Sequence, residues 1–248
     1  MGTSDAAAGK ETKPRRREGP RTPSRGRGLL RFNALLDATE SLLQSTNPDE
    51  IGLYQIAERA NVPPPSAYHF FPTKEAAYDA LAQRFIVQLL DVHRTPIEAR
   101  RLNNWTDLFL IDIDRGRAFY NRHPPALKIF YGGYGGVNAK NIDRIAADKI
   151  STSNYDRMNR VFHMPILSDT HRLFEVRLGI LDAIWTLSVR RHGYITQDYQ
   201  DEAVEACLAY SRVYLPARIE RRGSLIQAAE RGESVTLPFE PSADELEA

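Results

Sequence analysis

The stretch from Ile51 to Glu75, IGLYQIAERANVPPPSAYHFFPTKE, constrains this chain more than any other. Leu53, Ile56, Ala57 and Ala60 recur at helical spacing and form one apolar face of a short helix. Ala57 is small where a second helix has to cross closely. Asn61 tolerates the left-handed backbone that a tight interhelical turn needs, and Val62 follows as a plug for the space between the helices. Ser66, Ala67, Tyr68 and Phe70 fall on the next short helix, over residues 64–70. Two short helices joined by such a turn form a helix-turn-helix, whose second helix enters the major groove of DNA.

The ordered run Ile56-Ala57, Ala60-Asn61-Val62 and Tyr68-His69-Phe70-Phe71-Pro72-Thr73-Lys74-Glu75 resembles the N-terminal motif of the TetR family of transcriptional regulators, and the resemblance covers residues 29–90. It implies that Tyr68 touches the phosphate backbone. It implies that Lys74, opening the fourth helix, meets phosphate together with the helix's first amides. Ser66, Ala67 and His69 would sit where base edges or thymine methyls are read. Tyr54 and Gln55, on the second helix, would contact the backbone. The run Pro63-Pro64-Pro65 departs from the family pattern, which more often has small polar or basic residues there. Three prolines predict a preset start to the recognition helix with fewer hydrogen bonds to DNA, leaving more to shape and to the arm.

That arm is basic. Residues 1–31 hold nine basic and three acidic groups, a net +6, within a chain whose total is +1; the remainder is therefore −5. Gly, Pro, Ser and Arg dominate residues 1–26, which read as a disordered arm. A basic end on an otherwise acidic chain suits a polyanionic partner, and Arg25, Arg27 and Arg31 stand nearest the helix-turn-helix.

Beyond it nearly every segment reads as helix, so the fold class is all-α: an N-terminal three-helix DNA-binding module, then a larger helical domain for ligand binding and dimerisation. Expected helices cover 27–46, 73–93, 103–122, 125–131, 138–162, 168–192 and 197–221. Arg190-Arg191-His192-Gly193 marks one C-terminus. The domains divide as arm 1–26, helix-turn-helix 27–75, regulatory domain 76–231 and loose acidic tail 232–248, with Val235-Thr236-Leu237 a weak strand candidate.

The helix over 168–192 carries two apolar stripes where a surface helix needs one. Leu173, Val176, Ile180, Ala183 and Leu187 make the first; Leu178, Leu181, Trp185 and Val189 make the second. The final helix repeats the feature with Val204, Leu208 and Tyr214. The resemblance implies a homodimer through a four-helix interface, with Leu173, Val176, Ile180, Trp185, Leu187, Val204, Leu208 and Tyr214 in it. The middle helices are rich in aromatics, and in the family the effector pocket lies among them. Trp105, Phe109, Phe119, Tyr120, Tyr131, Tyr134, Tyr155 and Phe162 are the candidates for an apolar or aromatic small-molecule effector.

Several chemistries find no footing. The six histidines lack metal spacing, and Cys207 alone cannot form an intrachain disulfide or a thiolate metal site. The glycines of residues 132–136 lack the Lys-Ser/Thr of a phosphate loop, and no nucleophile elbow occurs. No cofactor, membrane span or enzyme activity is expected, and the location expected is the cytoplasm. The partners expected are double-stranded operator DNA, a second copy of the chain and a small-molecule effector. A regulator or architectural factor controlled by a protein partner, without a ligand, stays open, as does activation in place of repression.

Overall fold

A computed structural model describes residues 19–23, 26–134 and 137–239. The expected disorder of 1–18, the side chain of Arg25 and the tail beyond Phe239 lie outside the described residues. Helix α1 (Gly26–Ser45) leads through a 3-10 turn, Pro48–Glu50, to α2 (Leu53–Arg59), α3 (Pro64–Phe70) and α4 (Lys74–His93). Then come α5 (Trp105–Arg122), α6 (Pro124–Phe130), α7 (Val137–Asn159), α8 (Thr170–His192), α9 (Gln197–Ser211) and α10 (Gly223–Glu230). One two-residue ribbon, β1 (Ile97–Glu98) against β2 (Ser234–Val235), pairs Ile97 with Val235 and Glu98 with Ser234.

Helix ends follow local chemistry. Thr73 accepts from the Ala76 amide and Asp169 from the Arg172 amide, each supplying a cap to an otherwise orphaned donor. Gly193 closes α8 at φ 79°, in the left-handed region, after the basic last turn formed by Arg190, Arg191 and His192.

Two expectations need correction. The last long helix stops at Ser211, not 221. Pro216 cannot extend it, and the strand of chain after it is tied to the start of α5. Trp105 donates its indole N–H to the Pro216 carbonyl at 3.0 Å, and the Asn104 amide bonds the Ala217 carbonyl (2.8 Å) and the Ile219 N–H (3.1 Å). The separate helix α10 was not expected. The tail from 232 is not loose as far as Phe239: β2 pairs with β1, and Leu237 and Phe239 are buried. Arg157 fixes both residues, donating to the Leu237 carbonyl at 2.7 Å and lying 3.6 Å above the Phe239 ring.

Helix α4 joins the two halves of the molecule. Its first turns pack on α1, where Arg84 pairs with Asp37 and Glu40. Its last turns enter the C-terminal core. Lys128 of α6 makes a second tie, donating to the carbonyls of Leu43 and Thr46 at the end of α1.

Candidate nucleic-acid interface and ligand cavity

The helix-turn-helix is built around Phe32 of α1, whose ring meets Phe70 edge-on at 5.9 Å and Phe71 at 5.0 Å. Ile56, Ala57 and Ala67 are fully buried where α2 and α3 cross. The turn between them depends on Asn61, which takes φ 51° and so occupies the left-handed region. Val62 then donates back to the Ala57 carbonyl at 3.0 Å. The three prolines sit where they cost least: Pro63 is the N-cap of α3, and Pro64 and Pro65 fill its first turn, whose amides have no intrahelical acceptor.

What remains outward on α2 and α3 is a small polar-aromatic surface. Tyr54 and Tyr68 are 62% and 53% exposed, His69 and Gln55 are exposed, and Ser66 is half-buried. Gln55 also caps α2, accepting from the Gly52 amide, which leaves its amide N–H groups outward. Ala67 does not share this surface: at spacing 64–70 it falls on the inner side of α3, so the expectation that it reads bases gives way to a packing role. Lys74 reaches back to the 3-10 turn and donates to the carbonyls of Pro48 (3.0 Å) and Asp49 (3.3 Å). Tyr78 donates to the same Pro48 carbonyl at 3.1 Å. One ammonium N–H of Lys74 stays available for another acceptor. Arg27 and Arg31 are exposed on α1. Arg21 was not singled out by sequence reasoning, yet its amide donates to the Phe70 carbonyl at 2.9 Å, which holds the arm against the end of α3. No local pattern signals a contact across that sequence distance.

Residues 35–81, from the middle of α1 into α4, match the family model described as bacterial regulatory proteins, tetR family. The N-terminal domain belongs to the TetR family. Two solved structures share their fold with about three quarters of this chain. A TetR-family transcriptional regulator from Streptomyces coelicolor is 24% identical, with TM-score 0.56 over 76% of this chain and 99% of that one. A TetR transcriptional regulator from Rhodococcus sp. RHA1 is 16% identical, with TM-score 0.55 over 73% of this chain and 94% of that one. No curated protein sequence matches the chain. The TetR domain makes the chain a DNA-binding transcriptional regulator. No described helix is long and apolar enough to cross a membrane, and no cluster of metal-ligating side chains occurs among the described residues.

The second half of this TetR-fold molecule holds a partly open cavity of about 110 Å³ between α4, α5, α7 and α8. Three of the aromatics proposed from sequence line it: Phe109, Tyr120 and Tyr131. Their rings form a connected set with Trp185, Tyr120 lying 5.1 Å from Tyr131 and 6.0 Å from Trp185. The other five stand elsewhere. Trp105 is buried against the Pro216 carbonyl, and Phe119 packs on Phe85 and His123. Phe162 is buried beside Arg221, Tyr155 donates to the Pro165 carbonyl, and Tyr134 lies half-buried in the glycine loop. Sequence reasoning missed Arg177, His93 and Asp112 in the wall.

The two stripes of α8 face opposite ways. Leu178, Leu181 and Trp185 line the cavity, while Val176, Ala183 and Leu187 point outward. Leu173, Trp185 and Leu208 are buried within the protomer, so they are not part of that outer face. Ile180 and Val204 are half-buried. Helix α9 runs antiparallel to α8, with Cys207 donating to the Arg177 carbonyl at 3.3 Å. That register sets Tyr210, Val213 and Tyr214 beside the first turns of α8. Leu187 is 55%, Val213 73% and Tyr214 42% exposed.

Proposed function

We propose that this protein is a homodimeric transcriptional repressor, located in the cytoplasm, that occupies operator DNA and is released by a small molecule. The observation that carries the reading is the division of α8, apolar toward a cavity on one side and apolar toward solvent on the other. An apolar face of this kind, continued onto α9, suits burial against a second copy about a two-fold axis. Two copies would set two recognition helices about 34 Å apart, one turn of DNA, for a palindromic operator. Tyr54, Gln55, Ser66, Tyr68 and His69 would face the groove and its phosphates. Lys74 would hold the 3-10 turn and offer its remaining N–H to phosphate. Arg21, Arg27 and Arg31 would follow the backbone.

Release needs a link between cavity and DNA surface. Ile86, Leu89 and His93, late in α4, line the cavity, and Lys74 and Tyr78, early in the same helix, hold the helix-turn-helix. Lys128 and Tyr131 give α6 the same double engagement, with α1 and with the cavity. A ligand that fits one spacing of the two DNA domains better than another shifts their population by that difference in affinity. The cavity favours this reading over control by a protein partner alone.

Leu187→Glu tests the assembly. Circular dichroism should stay unchanged, while sedimentation should change from dimer to monomer and operator affinity should fall by at least about tenfold. A variant that remains dimeric and binds DNA as before would overturn the assignment of the α8–α9 face.

A further inference from the structure

Arg177 is a buried guanidinium in the cavity wall without a counter-ion among the described residues. Its side chain is sandwiched between two rings, with the guanidinium carbon 4.5 Å from the Phe109 centroid and 4.6 Å from that of Phe174. No described carboxylate pairs with it, and its Nη1 is buried without a hydrogen-bond partner among the described residues. Two turns further along the same helix, about 12 Å by its rise, Nε1 of Trp185 is also buried and has no hydrogen-bond partner among the described residues. Burial lowers the Arg177 pKa to about 10, so the group is still charged at neutral pH. A buried charge without a partner is costly, and ring faces replace only part of the lost hydration.

The acids of the wall are already engaged. Asp112 accepts two bonds from Arg157, at 2.8 and 3.1 Å, and Asp182 accepts from the Tyr131 hydroxyl at 3.2 Å. The wall therefore presents two spare N–H donors. A ligand that completes it has to bring acceptors and a negative charge. Apart from His93 and Asn154, the rest of the lining, with Leu181, Ile113 and Tyr120, is mostly apolar and ring-rich. A volume of about 110 Å³ is on the scale of one aromatic ring or a short aliphatic chain, not of a large amphiphile.

We propose that the effector is a small monocarboxylate, its carboxylate paired with Arg177 and its apolar body extending along α8 toward Trp185. This rests on the cavity being the effector site and adds the chemical class. The planar fork of arginine matches the two carboxylate oxygens, and the burial of Arg177 strengthens that pairing relative to a neutral group of equal size. The body would lie against the rings of Tyr120 and Tyr131.

The test titrates the full chain with benzoate, 3-phenylpropionate and hexanoate, and with benzyl alcohol and hexanol as neutral partners of similar size. Calorimetry reports binding and a DNA mobility shift reports release. At least one carboxylate should bind about tenfold or more tighter than its alcohol. Arg177→Met should abolish that preference and raise the melting temperature of the ligand-free protein, because it removes an unpaired buried charge. Equal binding of acid and alcohol, or a preference that survives Arg177→Met, would overturn the carboxylate assignment. So would the failure of every carboxylate to bind. If the alcohols bind and release DNA while the acids do not, the effector cavity stands and only its ligand class falls. If Arg177→Met does not fold, the acid-to-alcohol ratio on the unaltered protein still decides.

Discussion

Asp112 of α5 and Arg157 of α7 meet face to face, through two hydrogen bonds of 2.8 and 3.1 Å, with the arginine side chain only 2% exposed. The pair joins the helices on either side of the cavity, and Arg157 spends its remaining bonding on the Leu237 carbonyl and the Phe239 ring. Removing one partner leaves the other charge buried alone. Asp112→Ala should therefore lower unfolding stability in urea by about 3–5 kcal/mol. Adding Arg157→Met to that variant should recover part of the loss, since the orphaned charge is gone; a further loss of the same size would contradict the ion-pair account.

His93 sits beside this pair, its ring nitrogens 2.8 Å from the Leu89 carbonyl and 3.3 Å from the Asp112 carbonyl, only one of which a neutral ring can donate to. Burial holds its pKa below the ordinary value. The Asp112 carboxylate and the two carbonyl bonds pull the other way, and Arg157 adds to the lowering. The unfolded chain thus takes up a proton that the folded chain refuses. The His93 contribution is intact above the unfolded value of about 6.5 and is lost as the pH falls below it, by at most about 1.4 kcal/mol per pH unit. His93→Gln should flatten the decline of melting temperature between about pH 7 and pH 5. An unchanged slope would show that His93 is not the group responsible.

Cys207 is fully buried against α8, and burial pushes its thiol up to about 11. Thiol and not thiolate is present at neutral pH, and reagents cannot reach it. Iodoacetamide at pH 8 should leave the native protein unlabelled and modify it on denaturation. Rapid labelling of the native chain would mean that α9 opens from α8.

Two aromatic neighbours on the DNA side should respond oppositely to truncation. Tyr68 is half-exposed, so Tyr68→Ala should alter stability by no more than about 0.5 kcal/mol and still weaken DNA binding. Phe71 is fully buried against Phe32, so Phe71→Ala should cost about 3–5 kcal/mol. Thermal melts alongside mobility shifts separate the two. An unstable Tyr68→Ala protein would place that ring in the core.

The parts of the fold legible in the sequence are those set by local chemistry. Asn61 predicts the turn, Thr73 and Gly193 mark helix ends, and the prolines divide the helices. The end of α9 was legible in Pro216, which the expected helix over 197–221 overran; the tie of the following chain to Asn104, more than a hundred residues earlier, was not. The packing of Leu237 and Phe239 was hidden behind an acidic, proline-containing composition, although Val235, Leu237 and Phe239 alternate as a buried extended segment would. Aromatic content alone did not separate core from cavity: Trp105 and Tyr120 are equally apolar to a reader of sequence, and only tertiary packing divides them. Arg177 in a helix reads as solvated; Phe174 stands three residues before it, but nothing nearby in the chain shows that Phe109, on α5, covers its other side.

The central claim is operator recognition by the helix-turn-helix, and a footprint tests it most directly. The purified protein would be bound to the DNA upstream of its own gene across a salt series, in parallel with Tyr68→Ala. The account predicts protection of a palindrome, with affinity that falls as salt rises and falls again in the variant. Protection no greater than on random DNA, here and in selection from a random library, would contradict it.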